Sequence, residues 1–220
     1  MSTSLKDETH LNARSLSEDL RRHTAKAHES AEYSPFISDL LGGKLDQAAF
    51  IALQEQSWLF YSALEGAVRR CSEDPRSKVL LDRRLERREA LEKDLDALHG
   101  HAGWRAQVAP TAATTRYVNR LNEIAAAADF PCLMAHHYVR YLGDLSGGQV
   151  IARLVGREYG IGAEALSFYE FSDIGKIKPY KDSYRAQLDA LTLTPAEHAT
   201  MLAEAALAFS FNQQVFASLG

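Results

Sequence analysis

Two groups of residues in this 220-residue chain have types and spacings that could carry chemistry. One is the stretch 140–149, Arg-Tyr-Leu-Gly-Asp-Leu-Ser-Gly-Gly-Gln, which places three glycines beside Asp144 and Ser146 in a segment with helical spacing of apolar residues. The other is His28, which is flanked by Ala25, Ala27 and Ala31. An imidazole is a common metal ligand. A helix surface without side chains lets a ligand approach its backbone closely.

The three glycines leave two interpretations open. Each glycine inside a helix costs roughly 1 kcal/mol of stability relative to alanine. A flat ligand that lies against a bent helix would explain that cost. A second helix that crosses the first at short distance would explain it equally well. Residue types alone do not separate these two interpretations.

His28 is the strongest candidate ligand among the eight histidines. On a helix it shares a stripe with Leu20, Thr24 and Glu32 at steps of four residues. Glu32 could accept a hydrogen bond from the imidazole and so orient it. Small neighbours beside the ring suit a large planar ligand such as heme. The alternative is a histidine that packs at a helix interface and binds nothing.

Several other site types are excluded by their missing partners. His136 and His137 are adjacent and would point roughly 100° apart on a helix, so that they share a metal poorly. The chain contains neither the Glu-x-x-His pairs of di-iron bundles nor the His-Glu-x-x-His motif of helical zinc proteases. Residues 145–149 match the signature loop of ABC-type ATPases, but the chain has no phosphate-binding Gly-x-x-x-x-Gly-Lys-Ser/Thr loop.

Composition narrows the class of protein. With 46% hydrophobic and 25% charged residues, the chain is typical of a soluble globular protein. A net charge of -4 argues against nucleic-acid binding. Two cysteines, Cys71 and Cys132, are too few for a disulfide framework and indicate a reducing cytoplasm. The polar start and the absence of a long uninterrupted apolar run predict neither a secretory signal nor a membrane anchor.

Helix signals dominate the chain, and we expect a single all-α domain over residues 15–220 after a polar tail of residues 1–14. Capping boxes at Ser15–Glu18 and Thr194–Glu197 mark the starts of the first and last helices. Glycines, prolines and cap residues bound the others. The predicted helices are 15–33, 35–42, 46–71, 76–98, 111–128 and 131–159, followed by two more.

Four motifs together resemble the heme oxygenase family. They are Ala27-His28-Glu29, the segment 138–149, the segment 176–185 and Phe209-Ser210-Phe211-Asn212. These motifs are distributed over residues 16–219, nearly the whole chain. Within the family, the similarity is greatest to the bacterial enzymes that acquire iron from heme. The resemblance implies a helical fold that holds heme between a proximal helix and a kinked distal helix.

The resemblance also implies a set of site residues. His28 would be the proximal iron ligand, with Glu32 as its partner. The backbone at Gly143 and Gly147 would lie against the distal face, where a water network would be held by Asp144, Tyr61, Arg140 and Asn212. The residues expected to contact heme or its propionates are Arg21, Tyr138, Ser146, Lys176, Arg185 and Phe209. Arg22 is an alternative to Arg21.

The implied activity is oxidative cleavage of heme b, which is both substrate and cofactor. Dioxygen and electrons from an external reductase, NAD(P)H-dependent or ferredoxin-type, would convert it to biliverdin, carbon monoxide and ferrous iron. The resemblance implies a monomer that acts in iron acquisition. Two other classes stay open, a heme carrier or sensor without turnover and a helical interaction module without heme.

Overall fold

The computed structural model describes residues 14–77 and 82–220, and every regular element within these ranges is a helix. The predicted all-α fold is therefore confirmed, while the predicted polar tail lies almost entirely outside the described residues. In the described residues we label the α-helices α1 Leu16–Glu32, α2 Pro35–Leu41, α3 Gln47–Arg70, α4 Arg88–His99, α5 Ala112–Ala127, α6 Phe130–Tyr159, α7 Ile177–Asp189 and α8 Pro195–Ala217. Not one helix in the described ranges combines the length and apolar character needed to cross a membrane.

The predicted cap residues begin the helices as expected. Ser15 Oγ accepts the amide of Glu18 at the start of α1, and the Asp46 carboxylate accepts the amide of Ala49 at the start of α3. At α8 the box is complete, since Thr194 and Glu197 each accept the other's backbone amide. Each such cap typically contributes about 1 kcal/mol.

One predicted helix is interrupted. The sequence pattern predicts a continuous helix over 76–98. Ser77 is helical, and residues 78–81 lie outside the described ranges, but residues 82–87 are not α-helical and α4 starts at Arg88. Glu86 has extended backbone at ψ 134° and so interrupts the helix. The Glu65 carboxylate on α3 accepts the amides of Arg87 and Arg88 at 2.6 and 2.9 Å. The prediction was wrong because this cap comes from a residue 22 positions away.

The long helix α6 buries 14 of its 30 residues and packs on α3, α5 and α8. By contrast, α1 packs on α2, α7 and α8. Within the described chain, α1 and α6 have little direct contact, and α2, α7 and α8 each touch both of them. α2, α7 and α8 therefore connect α1 to α6, and we call the region between α1 and α6 the cleft.

His137 makes the stability of this fold pH-dependent. Its ring is 2% exposed in the core, with Nδ1 2.7 Å from the Tyr184 hydroxyl. Burial lowers the pKa of His137 to about 3, against about 6.5 in an unfolded chain. Between these values the unfolded state binds the extra proton. The contribution of neutral His137 is therefore fully present above pH 6.5 and is lost as the pH falls towards 3.

We therefore expect acidification to destabilise the wild-type protein relative to a His137→Gln variant. Below pH 6.5 the difference in their free energies of unfolding should change by up to roughly 1.4 kcal/mol per pH unit, the value for one linked proton. Urea unfolding of both proteins between pH 7 and pH 5 measures this change. If the free energies of unfolding of both proteins changed by the same amount over that range, the lowered pKa of His137 would be contradicted.

Candidate active site

The glycines of α6 do not all serve the same purpose. A Cβ atom on Gly143 would have no neighbouring atom within 4 Å beyond its own helix backbone, and one on Gly147 would meet only Ile151 Cδ1 at 3.9 Å. A Cβ atom on Gly148 would lie 3.3 Å from Tyr169 Cδ1. Gly148 thus permits close packing, whereas Gly143 and Gly147 border open space. The helix stays α-helical through all three positions.

Four of the predicted residues form one hydrogen-bonded cluster beside this open space. Arg140 Nη2 and Nε donate to the Tyr61 hydroxyl at 2.9 and 3.1 Å, and Nη1 donates to Asn212 Oδ1 at 3.0 Å. The Tyr61 hydroxyl in turn donates to Asp144 Oδ2. We call Tyr61, Arg140, Asp144 and Asn212 the distal cluster. It joins α3, α6 and α8.

Burial sets the protonation behaviour of the distal cluster. Burial raises the pKa of Asp144, although the charge of Arg140 and the hydrogen bond from Tyr61 oppose the shift. Burial also raises the pKa of Tyr61, which therefore stays a neutral donor. For Arg140 burial acts the other way, but Tyr61 and Asp144 prevail and raise its pKa. A fixed cation and a neutral phenol thus surround a carboxyl group whose pKa lies above its ordinary value.

His28 is available on the opposite side of the cleft. Its side chain is 56% exposed near the end of α1, with Nδ1 3.6 Å from the Glu32 carboxylate. That distance is beyond hydrogen-bond length but within the range of an ion pair. The Phe209 ring of α8 meets the imidazole edge to face, with 5.8 Å between ring centroids. The structure thus brings His28, Glu32 and Phe209 together.

Positive charge collects around Tyr138 at one edge of the cleft. Burial raises the pKa of Tyr138, and the nearby charges of Arg185 and Arg21 lower it. These two arginines come from α7 and α1, so the edge is formed by three helices. The electrostatic contact with Tyr138 favours Arg21 over Arg22 as the residue that faces this edge.

Lys181 belongs to this edge and was missed in the sequence. Its Nζ donates to Ser146 Oγ at 2.9 Å, and Ser146 directly precedes Gly147. Burial and the charge of Arg185 lower the pKa of Lys181. The predicted Lys176 is instead the exposed N-cap residue of α7. The i,i+4 spacing of Lys181 and Arg185 on one helix was the signal that could have found it.

A separate cavity of about 320 Å³ lies on another side of α6 and is lined by Glu65, Arg69, His137 and Tyr141, among others. Tyr141 and Gly143 are two positions apart, so they point to nearly opposite sides of the helix. This cavity therefore does not belong to the cleft between α1 and α6.

The residues around the cleft fit a planar, anionic, iron-containing ligand. Open space borders the backbone of Gly143 and Gly147, and an accessible imidazole with an aromatic ring beside it stands on the facing helix. Arg21, Lys181 and Arg185 supply positive charge at the edge, where carboxylates would be bound. A porphyrin with two propionates has this combination of properties.

Comparison with known proteins agrees with this geometry. The "Heme oxygenase" family model matches residues 14–218. The heme oxygenase of Rhodella violacea is 37% identical over 91% of this chain and 85% of its own length. The crystal structure of heme oxygenase-1 from Synechocystis in complex with heme is 33% identical, with a TM-score of 0.88 over 94% of this chain and 92% of that one. The heme oxygenase structure from Leptospira interrogans is 34% identical, with a TM-score of 0.86 over 93% of this chain and 99% of that one.

A family model that spans almost the whole chain, and relatives that are matched over most of their length, fit the cleft described above. The chain belongs to the heme oxygenase family and is an enzyme that cleaves heme to biliverdin.

Proposed function

We propose that this enzyme binds heme b in the cleft between α1 and α6, with His28 as the proximal iron ligand. The observation that carries the proposal is the open space at Gly143 and Gly147, opposite an exposed imidazole. His28 would hold the iron through an imidazole nitrogen, and Glu32, whose carboxylate lies 3.6 Å from Nδ1, would orient the ring. Bound heme supplies the site at which dioxygen is activated.

The glycine backbone and the distal cluster act on the side of the heme that faces α6. Because Gly143 and Gly147 have no side chains, they would leave room for dioxygen beside the bound heme. Asp144 holds ordered water and passes protons to it, since its carboxyl group is buried and its pKa is raised. Arg140 and Tyr61 fix the orientation of that carboxyl group through their hydrogen bonds.

The cationic edge would bind the propionates and thereby orient heme. Arg21, Lys181 and Arg185 carry the positive charge, and Tyr138 and Ser146 add hydroxyl groups. We assign to Lys181 the role that the family resemblance implies for Lys176, because Lys181 contacts Ser146. Phe209 packs beside the ring of His28 and against the macrocycle.

Turnover needs partners outside the chain. Dioxygen is the second substrate, and an NAD(P)H-dependent or ferredoxin-type reductase supplies the electrons. We propose that the enzyme works as a monomer in the cytoplasm and releases iron from heme for use by the cell. The two cysteines are buried free thiols, which agrees with a reducing compartment. The domain extends over residues 15–220.

Addition of heme and a reductant under air tests this function directly. The proposal predicts that the heme Soret band appears on binding and then disappears as the absorbance of biliverdin rises. A stable heme spectrum that persists with reductant would indicate a carrier or sensor. If no heme spectrum forms, the chain is an interaction module and the proposal fails.

We expect the glycines to affect heme binding and ligand-free stability in opposite ways. Gly143→Ala should stabilise the ligand-free protein by up to about 1 kcal/mol, because the added methyl group meets nothing. It should weaken heme binding or turnover, since the methyl group enters the open space beside Gly143 where we propose that heme binds, which we call the slot. Thermal unfolding and heme titration measure the two effects.

Gly148→Ala is the matched control on the same helix, where the methyl group would meet Tyr169 at 3.3 Å. It should give no gain in ligand-free stability. Unchanged heme binding and turnover in Gly143→Ala would contradict the placement of the slot.

A further inference from the structure

The half of α1 that carries His28 is weakly anchored. The buried side chains of α1 are Leu16, Leu20 and Thr24, all of them before His28. Beyond Thr24, Ala27 and Ala31 are only partly buried against the core, and their side chains are too small to make many contacts. The position of the imidazole therefore depends on few interactions.

Gln213 makes the polar contact at this point. Its Nε2 donates to the backbone carbonyl of Ala27 at 3.1 Å, across 186 residues of sequence. A carbonyl oxygen has two lone pairs, so Ala27 can accept this bond in addition to the one within the helix. The bond is formed one residue before His28. It fixes the backbone of α1 directly beside the imidazole.

The same face of α8 reaches both sides of the cleft. Phe209, one turn before Gln213, contacts the His28 ring. Asn212, the residue immediately before Gln213, accepts a hydrogen bond from Arg140 of the distal cluster. A single turn of α8 thus relates the backbone of α1 to the cluster on α6.

We propose that Gln213 is a positioning residue for His28: its amide holds the end of α1 at the distance and angle at which the imidazole meets the heme iron. The inference rests on the proposed function, in which His28 is the iron ligand. It extends that function by a residue that does not itself contact heme. Loss of the amide should leave ligation in place but make it looser.

The test compares Gln213→Met with Gln214→Met in the full-length protein. Gln214 is the matched control, because it lies next to Gln213 on α8 but points in a different direction. Its side chain bonds Ser210 of α8 and Arg116 of α5. We measure the iron–histidine stretching band of the ferrous complex by resonance Raman spectroscopy. We also measure the rate of heme transfer to a scavenging apoprotein, and the melting temperature of the ligand-free protein.

Gln213→Met should shift or broaden the iron–histidine band and accelerate heme loss about fivefold, the effect of one ordinary hydrogen bond. Gln214→Met should match the wild type in both. Gln213→Lys, which keeps a donor at this position, should restore the band. Should Gln213→Met not fold, Gln213→Glu has the same size, lacks the donor when ionised and carries the same comparison.

A wild-type band and rate in Gln213→Met, or changes no larger than those in Gln214→Met, would overturn the inference. So would a failure of Gln213→Lys to restore the band, because the role would then not depend on a donor. These outcomes differ from a failure of the proposed function, in which His28→Ala would keep the wild-type iron–histidine band.

Discussion

His28→Ala should abolish normal iron ligation and heme turnover while the fold remains intact. The side chain is 56% exposed, so its truncation should change the free energy of unfolding by no more than about 0.5 kcal/mol. The same truncation removes the imidazole that we propose as the iron ligand. We therefore expect the ferric heme spectrum to change and biliverdin formation to fall below detection, by measurement of absorbance during reaction with reductant.

Imidazole added to the solution should restore part of both the spectrum and the turnover, because the cavity left by the ring can admit it. His23→Ala is the matched control, since His23 is an exposed histidine on the same helix. It should behave as the wild type. Full turnover of His28→Ala without imidazole would refute the assignment of the proximal ligand.

Asp144→Ala should leave heme binding nearly unchanged and strongly reduce the yield of biliverdin. Asp144 faces the distal cluster and not the iron ligand, so heme affinity should stay within a few-fold of the wild type. Loss of a positioned proton donor typically costs a factor of about 10² to 10⁴ in rate. We expect heme to be consumed without ring opening, which is measured as biliverdin produced per heme lost.

Two further variants limit the interpretation of that result. Asp144→Asn keeps the size of the side chain but cannot ionise, so it should also be impaired if proton transfer is the role. Asp39→Ala removes an exposed carboxylate that pairs with Lys44 at 2.9 Å, and it should leave the biliverdin yield unchanged. A normal biliverdin yield from Asp144→Ala would show that another group organises the protons.

Local signals in the sequence predicted the fold well. Residues such as Ser15, Asp46 and Thr194 cap the helices that follow them through bonds three residues away, so that sequence spacing reveals them. The start of α4 could not be predicted in this way, because its cap is the Glu65 carboxylate of another helix. Tertiary contacts of this kind leave no local pattern.

Residue types drew attention to the candidate site where they are rare and not where several equal residues compete, while the roles of its residues came from the family resemblance and stay predictions. One exposed histidine beside alanines, and an aspartate among glycines, stand out from their surroundings. Lys176 and Lys181 lie in the same segment, and only the packing of α7 against Ser146 distinguishes them. The glycines likewise look alike in sequence, although Gly148 packs on Tyr169 and Gly143 does not.

α1 and α6 are anchored unequally in the fold. This difference bears on which helix would move when a molecule as wide as a porphyrin enters or leaves the cleft. Widening the gap by moving α6 would disrupt a helix with 14 buried residues in its core-facing surface. The last two turns of α1 hold no fully buried side chain, so their local displacement exposes little apolar area and costs far less free energy. Under the proposed function, loading of heme and release of biliverdin would therefore proceed by displacement of the end of α1, which carries His28, while α6 keeps its position.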